Sequence, residues 1–491
     1  MRGIWQLTRQ GLTTDARSGG PHLIRFGLMV VLYVAIVVAH INQTRFASGL
    51  SLFHSQLLLT AFYLTINAIF GFSQAISEEK EDGTLGLLRL ADISPLSILL
   101  GKTVSRIIDS GLMLGIQVPF TIVAITLGGV SHAQVFAAYM ALTAYLWLLA
   151  TMGIAMSVRQ RTGSAAALWT TLLATLYILP PYLAMTSSMK SPWIIDLYGR
   201  FSLPMRLTAI TESAFDGTPW CLPVAVGFAG GTGFLIWSWW IFDRVVIAPE
   251  SAAQRRAVAT PATLRSRRAW SNPLVWREFE FLTGGYRWLT FRIAAYLALL
   301  VFMGFIQDTI GHMFAWAALI GGLFAVIDGT WTASRLFRDE IRERTWSSLL
   351  QTPHSTSRLA LDKSRGWLIG MLPSIVMPYL YIVTTTIVHE NTNWELAVEL
   401  LIGSLTVGVA VFGYLHLLVL MSLHYGWKAT PLTLTITFTA GWIYVRSTFD
   451  WRIAVTGRCV IFVLTSCLLA AVMIGLQLLI VRRLRILGET A

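Results

Sequence analysis

Charge is what this sequence has least of. Asp, Glu, Lys and Arg make up 13% of its 491 residues, about half the share near 25% that a soluble globular chain carries. So few charges cannot cover a water-facing surface of this size, and lipid must replace water over much of it. No polar stretch is long enough to form a soluble domain. Cysteine is also scarce: Cys221, Cys459 and Cys467, with no CxxC pair. That excludes a disulfide framework. A bridge between Cys221 and Cys459, both near the expected outer starts of helices, stays open beside the reading of two small buried residues. A cleavable signal peptide is not expected, because the polar, basic stretch 1–25 leads into a multi-span chain.

Apolar and aromatic residues fill the place of charge. Hydrophobic residues reach 55%, with 19 Trp, 14 Tyr and 25 Phe, and mean hydropathy is +0.64. Aromatic belts at two membrane interfaces account for such a composition. The net charge of +12 lies in short loops between apolar runs. It therefore reads as a topology signal and as contact with membrane lipid, not as a nucleic-acid surface.

A helix needs about 20 mostly apolar residues to cross the hydrocarbon. That rule predicts an all-α polytopic membrane protein of about 12 transmembrane helices arranged as a 6+6 tandem repeat. The first six are expected near 24–40, 53–76, 106–129, 133–157, 164–186 and 221–242. The second six are expected near 289–307, 313–335, 366–388, 396–423, 429–446 and 455–481. About thirty of the 37 Lys and Arg residues then fall on one side, which places both termini in the cytoplasm by the positive-inside rule. The halves are 1–247 and 273–491, joined by a basic cytoplasmic linker at 248–272. The segment from Pro273 to Phe281 reads as an amphipathic helix at the inner surface.

A repeat follows the second span of each half. The first copy runs from Ser77 to Leu88 and the second from Arg338 to Leu349. A shift of 261 residues brings Glu78 onto Asp339, Glu79 onto Glu340, Asp82 onto Glu343, Thr84 onto Thr345, Leu88 onto Leu349 and Lys102 onto Lys363, without a gap. Each copy reads as one short amphipathic helix with acidic residues at its start, where the helix dipole favours them. A chain break and a lysine entering the third span follow.

The run Glu78-Glu79-Lys80-Glu81-Asp82-Gly83-Thr84-Leu85, with Ser94-Pro95 and Gly101-Lys102 after it, closely resembles the loop of ABC-2 type transporter permeases. In that family the loop holds the coupling helix that docks on a cytosolic ATP-binding subunit. The resemblance extends to both halves in topology and is looser in the second, where Arg344 replaces Gly83 and Trp346 replaces Leu85. It implies a coupling role for Glu78, Glu79, Glu81, Asp82, Gly83, Thr84 and Leu88, and for Asp339, Glu340, Glu343, Thr345 and Leu349. It implies two copies of a cytosolic ATP-binding cassette subunit carrying ATP and Mg2+, and a location in the bacterial inner membrane. It also implies a substrate path between the first, second and fifth spans of each half, and export as its direction. A second family feature is the long outer segment 187–220, read as two short amphipathic helices around Pro204. The second half has only about 447–451 in that place.

Other motifs fall away. Gly101-Lys102-Thr103 mimics the end of a phosphate-binding loop, but Leu96 stands where that loop needs Gly. His389-Glu390 lacks the second His of a zinc-protease motif. No cofactor, metal or catalytic residue is therefore expected on this chain, and ATP hydrolysis belongs to a partner. Asn42-Gln43-Thr44 is a glycosylation sequon of meaning only in a secretory host. Asp328, inside the eighth span, is a functional candidate by default; with Asn67 at the aligned place, a polar contact between helices is the favoured reading. Gln117 and Gln307 carry little information singly, and Pro119, Pro180, Pro181, Pro373 and Pro378 are expected to kink spans. A secondary transporter of 6+6 design is the alternative function, although its usual basic loop motif is absent. A non-transporting membrane scaffold is the third.

Overall fold

The computed structural model describes residues 2–17, 19–41, 48–91, 93–186, 199–212, 215, 217–246, 270–306, 310–342, 345–388, 394–425, 429–430, 433–434, 436–437, 440–441 and 455–489. Helix is the only regular structure among them. The chain divides into two compact units, residues 1–186 with 191–262 and residues 187–190 with 263–491.

Unit 1 opens with α1 (Arg2–Arg17), which packs on the third span, followed by α2 (Gly19–Ile41) and α3 (Ser48–Phe70). Two short helices follow, α4 (Ser77–Glu81) and α5 (Leu85–Leu90), then α6 (Pro95–Ile116) and α7 (Val118–Thr126). Ser94 caps α6, accepting from the Ser97 N–H, and Pro95 sits in the first turn, where its missing N–H costs nothing. The α6–α7 break falls at Gln117, two residues before Pro119, because the proline ring disturbs the turn preceding it. Then come α8 (His132–Arg159), α9 (Gly163–Thr186), α10 (Leu203–Ile210) and α11 (Leu222–Val246). A capping box between Ser131 and Gln134 starts α8, and α8 packs along α11.

Unit 2 opens with α12 (Pro273–Arg277), which runs into a π-helical turn, Glu278–Leu282. The spans are α13 (Gly285–Ile306), α14 (Ile310–Ala333), α17 (Thr356–Val388), α18 (Trp394–Tyr425) and α19 (Val455–Glu489). Between α14 and α17 lie α15 (Arg338–Arg342) and α16 (Trp346–Leu350). Pro373 and Pro378 sit inside a continuous α17. α14 packs along α17, and α18 along α19.

Nine helices among the described residues are long and apolar enough to cross a membrane, and the shorter apolar stretches Ile24–Val37 and Ala165–Ile178 add to them. Most of the expected span at 429–446, the outer segment 447–451, the linker 248–269, and Gln307, Glu343 and Arg344 lie outside the described residues. Two expectations change. Each acidic repeat is a pair of short helices, not one: a turn at Gly83, whose φ of +68° suits glycine, separates α4 from α5. The outer segment breaks at Ser202, which caps α10, and Pro204 lies inside that helix's first turn; the part before residue 199 lies outside the described residues. Cys221, Cys459 and Cys467 carry free thiols.

Candidate functional site

The acidic repeats have the same internal geometry. In unit 1, Glu79 accepts from the Thr84 hydroxyl through Oε2 and from Lys102 Nζ through Oε1 at 2.5 Å. The Thr84 N–H donates to the Glu79 carbonyl at 3.0 Å. In unit 2, Glu340 accepts from the Thr345 hydroxyl through Oε2 and from Lys363 Nζ through Oε1 at 3.3 Å. The Thr345 N–H donates to the Glu340 carbonyl at 2.9 Å. A carboxylate thus staples the short helix that carries it to the helix after it and to the third span. The acidic residues do not cap α5 or α16; they lie one turn earlier, in the first turns of α4 and α15.

The side chains facing away complete the comparison. Leu85 and its counterpart Trp346 are both buried, at 5% and 3% exposure. Trp346 therefore fills the place of Leu85 in the interior, and its Nε1–H donates to the Leu484 carbonyl at 3.1 Å. Leu88 and Leu349 are half-buried in both copies. Leu87 and Leu90 stand 65% and 85% exposed, whereas the aligned Ser348 and Gln351 are exposed polar residues. The first copy offers an apolar face, and the second a polar one.

Other contacts tie each loop down differently. Glu78 pairs with Arg106 at 3.7 Å. Lys80 donates to the carbonyls of Ser157, Val158 and Gln160 at the end of α8. Glu81 accepts from the Gly163 N–H at the start of α9, at 2.7 Å, and the Ser157 hydroxyl accepts from the N–H groups of Ile76 and Ser77. Asp82 and Gly83 are exposed at the turn. In unit 2, Asp339 pairs with Arg335 one turn earlier, at 3.0 Å. Lys363, 1% exposed, also bonds Glu278 at 2.6 Å, and Arg277 bonds Glu340 at 2.6 Å. Burial raises the Glu278 carboxyl above its ordinary range, Lys363 and Arg277 oppose the rise, and neighbouring Glu340 adds to it.

Asp328 is tied to two other helices. Arg292 of α13 holds both its oxygens, Nε–H to Oδ2 at 2.6 Å and Nη2 to Oδ1 at 2.9 Å. Ser374 of α17 donates to Oδ2 at 3.2 Å. Asn67 donates to the Ser110 hydroxyl of α6 at 2.6 Å. Arg25 of α2 pairs with Asp109 of α6. Sequence reasoning missed both arginine pairs; the signal was an arginine standing inside each half's first apolar run. Gln117, uninformative singly in the sequence, binds Gln56, Thr60 and Thr121 through its carbonyl and side chain in a buried neutral network at the α6–α7 break.

Long apolar helices and intramembrane charges that are paired define an α-helical polytopic membrane protein. No protein-family model matches the chain, and no curated protein matches it. Among the described residues no group of three or more His, Cys, Asp or Glu side chains is placed to hold a metal ion.

Proposed function

We propose that the chain is the transmembrane permease subunit of an ATP-binding cassette exporter, with twelve spans in a 6+6 repeat and both termini in the cytoplasm of a bacterial cell. A separate ATP-binding subunit, in two copies, docks at the acidic loops and supplies ATP and Mg2+. The observation that carries this reading is the duplicated staple: Glu79, Thr84 and Lys102 in one unit, and Glu340, Thr345 and Lys363 in the other, bonded alike at a constant offset of 261 residues. Each staple fixes a short helix pair to the third span, so a push on that pair is passed to a membrane helix instead of being lost in a slack loop. Closure of the ATP-bound subunits would bias the bundles between inward-open and outward-open states.

The test is purification of the full chain from its own membranes in mild detergent, with photolabelling by 8-azido-ATP. The reading expects a soluble nucleotide-binding protein at two copies per chain, falling to one copy or fewer in Leu87→Asp/Leu90→Asp with the chain still folded. These leucines serve better than Glu79, whose reversal would break the staple itself. A chain that comes through with no nucleotide-binding partner, in every mild detergent tried, removes the proposal.

A further inference from the structure

The two arginine pairs occupy one equivalent place and are filled differently. Arg25 lies in the first span of unit 1 and Arg292 in that of unit 2, 267 residues apart. In unit 1 the acid is Asp109, on the third span; the aligned residue of unit 2 is Gly370. Arg292 still reaches that spot, where its Nη1 donates to the Gly370 carbonyl at 3.2 Å. In unit 2 the acid is Asp328, on the second span; the aligned residue of unit 1 is the neutral Asn67, which bonds Ser110, the neighbour of Asp109. In both units the arginine is on the first span, while the carboxylate is on the third span in unit 1 and on the second in unit 2.

The change has a mechanical consequence. Asp328 gathers the first three spans of unit 2 into one cluster, through Arg292 and Ser374, and Trp367 adds a bond from the third span to Thr332 of the second at 2.7 Å. In unit 1 the charge pair joins only the first and third spans. The second span is held to the third there by the neutral Asn67–Ser110 bond, and the segment that follows it is fastened to the α8–α9 corner by Ser157, Lys80 and Glu81. A Thr–Tyr hydrogen bond joins the second and fourth spans in both units, Thr65 to Tyr145 and Thr330 to Tyr414, each at 2.8 Å. Farther from the acidic loop the units differ as well: Gln56 and Thr60 of the second span bond Gln117 and Thr121 of the third in unit 1, whereas unit 2 has Ala317, Gly321, Pro378 and Ile382 at the aligned places.

We propose that positions 67/328 and 109/370 form a single anchor site for the first-span arginine, which either the second or the third span can fill, and that the choice decides which helices move together. With the acid on the third span, as in unit 1, the loop end of the second span goes with the fourth and fifth. With the acid on the second span, as in unit 2, the first three spans go as one body. The exchange is one-way in the present fold: a Cβ on Gly370 would overlap the Thr283 hydroxyl, so unit 2 has no room to return its acid to the third span. The anchor site is independent of transport and of whatever the chain carries.

The test rebuilds unit 1 on the pattern of unit 2. In the purified full chain, Asp109→Gly lowers the melting temperature, and Asn67→Asp/Asp109→Gly recovers at least half of the loss. A double variant no better than the single, or a single variant with no loss, overturns the proposal. Where Asp109→Gly does not fold, the yield of monodisperse protein is the readout. A folded double variant then supports the anchor, and an unfolded one refutes it. Hydrogen exchange supplies the readout that a merely structural role would not move. Asp109→Asn should speed exchange in peptides of α2 and α6 and leave the loop end of α3 unchanged, while Asp328→Asn should speed α13, α14 and α17 together. Equal acceleration of α3 and α2 in Asp109→Asn, or an unchanged α14 in Asp328→Asn, contradicts the assignment of bodies.

Discussion

Lys102 and Lys363 enter the third span at equivalent places, yet the lysine of unit 1 bonds one carboxylate and keeps a quarter of its side chain in contact with solvent, while that of unit 2 is buried between two. The second carboxylate is Glu278, which stands where unit 1 has Gly11 at the same 267-residue offset that relates Arg25 to Arg292. Gly11 lets α1 lie close against Ser105 of α6; Glu278 instead reaches across to the lysine. The exposed faces differ in step, Leu87 and Leu90 against Ser348 and Gln351. One duplicated staple thus carries two specialisations: a lightly pinned loop with an apolar face, and a heavily pinned loop with a polar one.

The largest expected effect separates the lysines. Lys363→Met leaves Glu278 and Glu340 buried and short of a partner, a class of change that costs about 3–5 kcal/mol. Lys102→Met frees a partly solvated Glu79 and should cost about 1 kcal/mol. Thermal unfolding of the two variants in one detergent measures the gap, and equal losses would dissolve the contrast between the loops. Next comes the surface exchange. Leu87→Ser/Leu90→Gln gives the first loop the face of the second; it should abolish nucleotide-dependent transport while stability stays within about 0.5 kcal/mol. Ser348→Leu/Gln351→Leu, read in the same flux assay, should leave transport in place.

Gly83→Ala tests the turn between α4 and α5. A left-handed φ costs a non-glycine residue about 1–2 kcal/mol, and nothing stands within 4 Å of the added Cβ, so the loss should be backbone strain alone. Asn, which tolerates that conformation better, should lose less in the same melt. The smallest effect is the pH response of Glu278. Its folded carboxyl titrates above the ordinary value of 4.5, so within that window the folded state binds more protons than the unfolded one. Stability should therefore fall as pH rises from 4.5 through the raised value. Glu278→Gln should flatten that part of a melting-temperature profile, and a profile of unchanged slope would separate Glu278 from the lysine network.

The acidic repeat was legible because its members lie close in the chain and share one offset: Glu79, Thr84 and Lys102 move onto Glu340, Thr345 and Lys363 without a gap. The charge anchors were not. Arg25 and Arg292 are related by 267 residues and Asn67 and Asp328 by 261, so an alignment without gaps cannot bring both pairs into register. The six-residue difference arises between those positions. Asp109, 84 residues from Arg25, gave no sign of its partner, because a pair formed by packing leaves no local periodicity. Glu278 was hidden for a different reason. An amphipathic pattern says that a segment has two faces, but not that a carboxylate on one of them meets a buried lysine 85 residues away. The two-helix form of the acidic loop rests on the positive φ of Gly83, which the leucines after it obscured by continuing a helical pattern.

Photo-crosslinking from position 87 in intact membranes addresses the central claim most directly. A benzoylphenylalanine placed there, with one at 348 as the comparison, should yield an adduct with a soluble protein that binds ATP-agarose, more from 87 than from 348. Adducts with lipid alone would mean that the apolar face of the first loop lies in the bilayer and that no ATP-binding subunit seats on it.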